Sequence, residues 1–196
     1  WGNSGGTTIY WISNPNEGEY GEWFNTQLEP NGSIDGNVPG AHEKLEANHR
    51  HIINEIIRHK GVERDDAYKQ KGFENIRNHP GKYVRNVLSN VSRLLFNYPQ
   101  SYRVFGVGTL LNAAPNLVLL AAIIFLFRPT IRMWKRIPVF IKFLLMVAAI
   151  YFAGSSLISA TIRMFYILFP ILAAWLFYVG KHKTLSKDGA AHNKWV

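Results

Sequence analysis

Three side chains that could ligate a metal share one face of a predicted helix. His51, Glu55 and His59 are spaced four residues apart, so a helix over Ala41–His59 places all three on one side. A straight helix also spreads them over ~12 Å, which is too far for one ion. The apolar residues of the segment lie elsewhere. We therefore interpret this face as solvated, with weak pairing between successive turns.

A glycine-rich segment at the start of the chain has residues that could bind an anion. Gly5 and Gly6 follow Asn3, and the backbone amides of such a run can cradle a phosphate. No Gly-Lys-Ser/Thr triplet follows, so the segment is not a P-loop. An ordinary turn is the alternative that we favour. Asn3, Gly5, Gly6 and Asn14 are kept as candidate substrate-loop residues.

The composition excludes several kinds of chemistry. The chain has no cysteine, which rules out disulfides, thiolate metal sites and cysteine nucleophiles. Asp65 and Asp66 are adjacent, so on a helix they point ~100° apart and do not form an acid/base pair. No catalytic set is visible. We expect no metal or other cofactor in this chain and, despite a net charge of +9, no nucleic-acid partner, because the charge is clustered beside apolar segments.

Three long stretches without Asp, Glu, Lys or Arg determine the class of protein. They are residues 104–127, 143–162 and 164–180, and a membrane-spanning helix needs ~20 apolar residues. We place the second span at Ile137–Ser156 and the third at Met164–Val179. Basic residues follow the first and the third stretch, and such clusters mark the cytoplasmic side: Arg128, Arg132, Lys135 and Arg136, then Lys181, Lys183 and Lys187.

The predicted fold is mostly α. Three transmembrane helices follow an α-rich extracytoplasmic region with a turn-rich N-terminal loop. We expect three parts, namely an extracytoplasmic domain over residues 1–100, the transmembrane region over 101–180 and a cytoplasmic tail over 181–196. An extracytoplasmic region of this size needs an earlier signal or earlier spans. We therefore expect a missing N-terminal transmembrane region ahead of Trp1.

Local patterns predict the elements of the first hundred residues. Thr7–Ile12 has the composition of a short strand. Apolar residues at helical spacing predict helices over Ala41–His59, Asp65–Asn78 and Pro80–Phe96. The last is amphipathic and basic, so we expect it to rest on the bilayer surface or on the bundle. Its apolar stripe is Tyr83, Val84, Val87, Leu88, Val91, Leu94 and Leu95, and Lys82, Arg85 and Arg93 lie off the stripe.

Polar side chains in or beside the predicted spans are candidates for function. Thr109, Asn112 and Asn116 share a face of the first span, either as contacts between helices or as the wall of a substrate cavity. Arg163 stands at the outer end of the last span. A guanidinium there can bind a lipid phosphate, and an interfacial anchor is the alternative.

The order of three segments resembles the C-terminal half of the GT-C superfamily of membrane glycosyltransferases. The similarity is to family 39-like enzymes, which include protein O-mannosyltransferases and the lipid A aminoarabinose transferase. The first segment is Trp1-Gly2-Asn3-Ser4-Gly5-Gly6 with Ser13-Asn14-Pro15 and Gly21-Glu22-Trp23, the second is Lys69 to Pro99, and the third is Ile162-Arg163-Met164-Phe165-Tyr166 with Phe169-Pro170. The third departs from the family pattern, in which an aromatic residue directly follows the arginine.

The resemblance implies a transferase that uses a polyprenyl-phosphate-linked sugar in the cell envelope, in the bacterial inner membrane. In such enzymes an acidic residue of the first outer loop acts as general base, and cations or a divalent metal stabilise the leaving phosphate. That loop would lie upstream of Trp1, so this chain would be inactive alone. It would supply part of the donor-lipid groove, with Arg163 as the phosphate contact. A non-catalytic membrane subunit, or an adaptor that binds a partner through its outer helices, is the alternative.

Overall fold

The computed structural model describes residues 5–24, 41–102, 106–158 and 162–192. All the regular structure in these ranges is helical, and the prediction of a mostly α fold is confirmed for them. Eight α-helices and one 3₁₀ turn (Trp134–Arg136) are present there. The α-helices are α1 (Gly5–Ile12), α2 (Ala41–Ile56), α3 (Gly61–Asn78), α4 (Pro80–Phe96), α5 (Val107–Arg132), α6 (Val139–Leu157), α7 (Ile162–Tyr166) and α8 (Phe169–His192).

The segment predicted as a strand is part of helix α1. The strand prediction for Thr7–Ile12 was wrong, because no described segment offers it a partner strand and a helix satisfies its own backbone hydrogen bonds. Two glycines let α1 lie directly on α3. A Cβ on Gly6 would stand 1.8 Å from the carbonyl oxygen of Asp65, and one on Gly72 would stand 2.7 Å from Cγ2 of Ile9. This close approach buries Tyr10 and Trp11.

The core of the first hundred residues is built on these two aromatic side chains. Tyr10 and Trp11 pack with Leu45 and Ile56 of α2 and with Tyr68 of α3. The predicted helices over Ala41–His59, Asp65–Asn78 and Pro80–Phe96 are confirmed, with ends moved by at most four residues. The core therefore joins the apolar stripes of α2 and α3 around α1.

Helices α5 and α6 are long and apolar enough to cross a membrane. Their apolar side chains are mostly exposed, whereas the core helix of a soluble protein would bury them. Such a surface is expected of helices that face lipid. The first two predicted spans thus correspond to α5 and α6.

The third apolar stretch is divided between two helices. Helix α7 ends at Tyr166 and α8 begins at Phe169, so Met164–Val179 is not one continuous helix. Pro170 has no backbone N–H, and its ring would clash with the carbonyl of Tyr166 in a continuous helix. The uncharged part of α8, from Phe169 to Gly180, is only about 18 Å long. A bilayer core is ~30 Å thick.

The helices of the second half form a bundle with two distinct ends. At one end, Leu126, Ile137, Trp175 and Val179 pack together beside the basic clusters. At the other end, Ala148, Phe165 and Leu168 form a second apolar cluster, which includes Leu95 of α4 at its edge. The domain formed by residues 5–24 and 41–102, which we call the outer domain, is therefore attached to the end of the bundle opposite the basic clusters.

Candidate functional site

One of the two glycines predicted to bind an anion forms a hydrogen bond with an aspartate side chain of the same chain. Gly5 is exposed at the start of α1, while Gly6 is buried and donates its N–H to Oδ1 of Asp65 at 2.9 Å. The two glycines belong to the first turn of a helix and not to a loop. Asn3 lies outside the described residues. The candidate substrate role of this segment stays a prediction.

Asn14, the fourth candidate of this group, is a structural centre of the outer domain. Its side chain is fully buried and donates to the Glu19 carboxylate. Its Oδ1 accepts the backbone N–H of Asn16 at 2.8 Å. Its backbone carbonyl accepts a hydrogen bond from Asn86 Nδ2 at 2.9 Å. Asn14 thus links the chain after α1 to α4, and no substrate can reach its side chain in this conformation.

A buried hydrogen-bonded chain runs from Glu19 through His49 to Tyr10. Glu19 Oε2 lies 2.7 Å from His49 Nε2, and His49 Nδ1 lies 2.7 Å from the Tyr10 hydroxyl. Tyr102 donates to Glu19 Oε1 at 2.6 Å, as does Asn48 Nδ2 at 2.6 Å. One carboxylate therefore binds together the segment after α1, helix α2 and the segment after α4.

The environment of this chain shifts two pKa values in opposite directions. Burial raises the pKa of Glu19, but hydrogen bonds and charge from His49, with hydrogen bonds from Tyr102 and Asn48, outweigh burial and lower it below its ordinary value. Burial is the main cause that raises the pKa of the Tyr10 hydroxyl, with smaller electrostatic contributions from Tyr68 and Glu19. The carboxylate therefore stays ionised while the phenol stays protonated.

The order carboxylate–imidazole–hydroxyl is also found in hydrolase active sites, but here it is closed to substrate. Glu19 is 0% exposed, and His49 and Tyr10 are each 1% exposed. A hydroxyl nucleophile must contact the atom that it attacks. The arrangement therefore stabilises the outer domain and does not perform chemistry on a bound molecule in this conformation.

The sequence patterns did not identify Glu19, His49 and Tyr102 as a group. One signal for His49 was present, because it lies four residues after Leu45 and four before Ile53, within the apolar stripe of α2. A histidine inside such a stripe is buried when the helix packs, and it then needs a polar partner. Nothing local to residues 13–24 indicated that Glu19 was that partner.

Helix α4 buries its polar edge, which contains Lys82 and Arg93. We expected these residues to lie away from the packed apolar stripe. Lys82 Nζ donates to the Glu19 carbonyl at 2.7 Å, and Arg93 donates to the Tyr20 carbonyl at 3.1 Å. Burial lowers the pKa of Lys82, and it also lowers that of Arg93, where Glu22 opposes the effect. Carbonyl oxygens in an otherwise closed interior attract these cations, which explains why the polar edge faces inward.

Asn90 attaches this same edge of α4 to the C-terminal end of α6. Its amide donates to the carbonyls of Ser155 and Ser156 at 3.0 Å each and also to that of Ile158. The last carbonyls of α6 have no partner within their own helix. Asn90 therefore acts as the C-terminal cap of α6.

Asn116, on the polar face predicted for the first span, also contacts α4. It is fully buried, and its amide donates to the carbonyl of Leu95. This contact supports the interpretation of Asn116 as a link between helices. Thr109 is half-buried, and the side chain of Asn112 lies outside the described residues.

Arg163 lies on α7, at the end of the bundle that carries the outer domain. Its side chain is exposed, and within the described ranges it makes no hydrogen bond or ion pair. Tyr166, one turn later on α7, is also exposed and stacks edge-on against Phe169 at 5.2 Å. The structure does not bring Arg163 to Asn14, which is enclosed in the outer domain.

No described residues form a metal centre. His51, Glu55 and His59 are all exposed on or just after α2, in agreement with the solvated face that we favoured. Among the described residues, no group of three or more His, Cys, Asp or Glu side chains could hold an ion. The divalent metal implied by the resemblance was expected in a longer protein, and it stays a prediction.

Comparison of the chain with protein-family models, with curated proteins and with solved structures found no match. The proposal below therefore depends on the sequence and on the geometry of the described residues.

Proposed function

We propose that this chain is the C-terminal part of a membrane glycosyltransferase that uses a polyprenyl-phosphate-linked sugar. On this proposal the catalytic acid lies in an outer loop ahead of Trp1. The present residues supply the outer domain and one side of the groove for the donor lipid. A bacterial inner membrane is the proposed location, with the outer domain on the extracytoplasmic side.

The observation that carries the proposal is the position of Arg163. A guanidinium without a described partner lies at the start of α7, on the side away from its break with α8 and beside helices that are long and apolar enough to cross a membrane. A phosphate at the level of the headgroups can accept two hydrogen bonds from one such group. The order of the three resembling segments supports the same function.

The proposed topology has three crossings, and the third differs in kind from the first two. Helices α5 and α6 each cross the bilayer alone. The short apolar part of α8 needs α7 above it to complete a crossing, so the break between them lies within the membrane. A break at membrane depth is tolerated where it is packed in protein or lines a cavity. Phe165 and Leu168, on either side of Tyr166, are packed in this way.

The test is binding of undecaprenyl phosphate to the full-length protein, with undecaprenol as the ligand that lacks the phosphate. Arg163→Ala is expected to weaken binding of the phosphate about tenfold, because a charge-assisted hydrogen bond contributes ~1.5 kcal/mol or more. Undecaprenol binding should not change. Arg163→Lys should restore part of the affinity, and Arg77→Ala removes another exposed arginine as the matched control.

Two results would contradict the phosphate role. One is equal affinity of the wild type and Arg163→Ala for undecaprenyl phosphate. The other is a lower melting temperature with equal losses for both lipids, which would identify Arg163 as an interfacial anchor.

A second function, that of a non-catalytic adaptor, is favoured by one observation. Val62 and Phe73 are exposed on α3, and their spacing of about three turns places them on the same face of that helix. Polar residues such as Asp66 and Lys69 lie between them on that face, so Val62 and Phe73 offer two separate apolar contacts to a partner protein. Val62→Ser with Phe73→Ser would then abolish recovery of that partner, while undecaprenyl phosphate binding would be absent from the start.

A further inference from the structure

Helix α4 buries its polar edge and leaves part of its apolar stripe exposed. Its buried side contains Lys82, Asn86, Asn90 and Arg93 together with Leu94. Two of its large apolar residues face outward, because Val84 is 55% exposed and Leu88 is 63% exposed. These two residues lie one turn apart and define what we call the outward stripe.

The rotation of α4 is fixed by the hydrogen bonds of its polar edge. Asn86 Nδ2 donates to the carbonyls of Ile12 and Asn14 at 3.0 Å and 2.9 Å. Arg93 donates to Asn90 Oδ1 at 3.0 Å as well as to backbone carbonyls. Turning the outward stripe inward would leave these buried carbonyls without donors, at a cost that apolar contact does not offset. The exposed position of the stripe therefore belongs to the folded state.

The height at which α4 contacts α5 and α6 indicates whether the outward stripe faces water or lipid. Its middle contacts α6 at Ser156, which lies about 21 Å along that helix from Lys142. Its end contacts α5 at Asn116, which lies about 24 Å from Arg132. Lys142 and Arg132 belong to the basic end. A bilayer core is ~30 Å thick, so α4 lies at its outer boundary and not above it in water.

Other residues around the outward stripe are also suited to the boundary between lipid and water. Leu157 and Ile158, at the end of α6, are exposed apolar residues beside the Asn90 contact. Arg85 is exposed on α4 next to the stripe, and its ion pair with Glu17 is long, at 3.6 Å. A charged side chain in this position can extend to the headgroups while the apolar residues enter the acyl layer.

We propose that α4 is an interfacial helix, whose outward stripe of Val84 and Leu88 inserts into the outer leaflet of the bilayer that α5 and α6 cross. The inference takes from the proposed function only that α5 and α6 span a membrane, and it does not depend on sugar transfer. The outer domain is then attached to the membrane in two ways, through its covalent connection to α5 and through the insertion of α4 into the lipid. The outer domain is thereby fixed in height over the membrane.

Nitroxide accessibility tests this position directly. This chain has no cysteine, so once any cysteine ahead of Trp1 has been replaced, Leu88→Cys, Ile150→Cys and Val62→Cys can each be spin-labelled in the full-length protein in lipid nanodiscs. The three native residues are similarly exposed, at 63%, 65% and 63%. Collisions are measured with oxygen, which concentrates in lipid, and with a water-soluble nickel chelate.

The Leu88 label is expected about 5–10 Å below the phosphates, with oxygen preferred over nickel as for Ile150 in α6. The Val62 label should show the reverse. Nickel accessibility at Leu88 equal to that at Val62 overturns the inference but leaves the membrane crossing intact. Few collisions with either reagent would mean that protein covers the stripe, which also overturns it. Nickel accessibility at Ile150 would overturn both the inference and the membrane crossing on which it rests.

Discussion

Glu19 shows how a single carboxylate can organise a domain without contacting a ligand. It is fully buried and accepts hydrogen bonds from residues that lie far apart in the sequence, among them Asn48 and Tyr102. Its backbone carbonyl also accepts a hydrogen bond from the Lys82 ammonium group. Hydrogen bonds to a buried charge are stronger than those between neutral groups, and their loss leaves several donors unpaired at once.

Glu19→Gln should destabilise the outer domain by about 2 kcal/mol. The glutamine NH₂ replaces an acceptor, so it faces donors such as Asn48 and Tyr102 without forming hydrogen bonds with them. Amide hydrogen exchange in α2 and α4 of the full-length protein should speed up roughly 30-fold where it occurs by opening of this domain. Glu17→Gln is the matched control, since Glu17 is largely exposed. Equal exchange in both variants would show that the network contributes little.

The lowered pKa of Glu19 predicts a loss of stability in acid. The folded-state pKa lies below the ordinary value of 4.5. The stabilisation is therefore complete above that value, and it is lost as the pH falls toward and through the folded-state pKa. Opening of the outer domain, followed by hydrogen exchange, should become easier below about pH 4.5. Glu19→Gln lacks this ionisation, so its own response to acid should be smaller than that of the wild type.

At the scale of elements, the contact between α1 and α3 depends on glycine at two positions. Helix α1 has only eight residues, and a helix of that length is not stable by itself. Its stability comes from burying Tyr10 and Trp11, and this requires the backbones of α1 and α3 to approach closely. Asp65 then satisfies the backbone N–H of Gly6 in the first turn of α1.

Gly6→Ala should cost about 3 kcal/mol or more of the stability of the outer domain, because its Cβ would overlap backbone atoms of α3 that cannot move aside. Gly81→Ala is the control. Gly81 is exposed in the first turn of α4, and an added Cβ meets nothing within 4 Å there. That variant should be neutral or slightly stabilising. Thermal unfolding followed by near-ultraviolet circular dichroism reports on the buried Tyr10 and Trp11. Similar melting temperatures for the two variants would contradict the tight contact.

For the whole molecule, the main question is which side of the membrane carries the outer domain. Contacts along the bundle place the basic residues at the end away from α4, as Tyr178 shows by donating to the carbonyl of Arg136 at 3.0 Å. Basic clusters face the cytoplasm in most membrane proteins. The outer domain should then lie on the extracytoplasmic side.

Single cysteines test this orientation in spheroplasts that express the full-length protein. Asp66→Cys on α3 should react with a membrane-impermeant maleimide, and Lys135→Cys in the 3₁₀ turn should react only after permeabilisation. Both native residues are exposed, so differences in labelling report the side of the membrane. This chain has no cysteine, so the full-length parent, with any cysteine ahead of Trp1 replaced, gives the background. The opposite pattern of labelling would invert the topology and remove the basis for an extracytoplasmic outer domain.

The amino-acid sequence by itself determined which segments form helices wherever the apolar pattern extends over many residues. Pro80–Phe96 was predicted with the bounds that the structure has, and the two long apolar stretches became α5 and α6. Periodicity and length are local properties, so they need no knowledge of neighbours. They also identified Arg163 as an exposed cation at the end of the bundle, and its proposed phosphate role stays a prediction.

Only the tertiary structure decided whether each helix face packs against the rest of the protein or stays exposed. The short segment Thr7–Ile12 is a helix because Gly6 and Gly72 let α1 pack closely on α3. The last apolar stretch is two helices because Pro170 interrupts it. The partnership of Glu19 with His49 arises from residues thirty positions apart. Helix α4 buries its polar edge because unpaired carbonyls of the outer domain lie there. Periodicity identifies the residues that share a face, but whether that face meets protein, water or lipid depends on the rest of the folded chain.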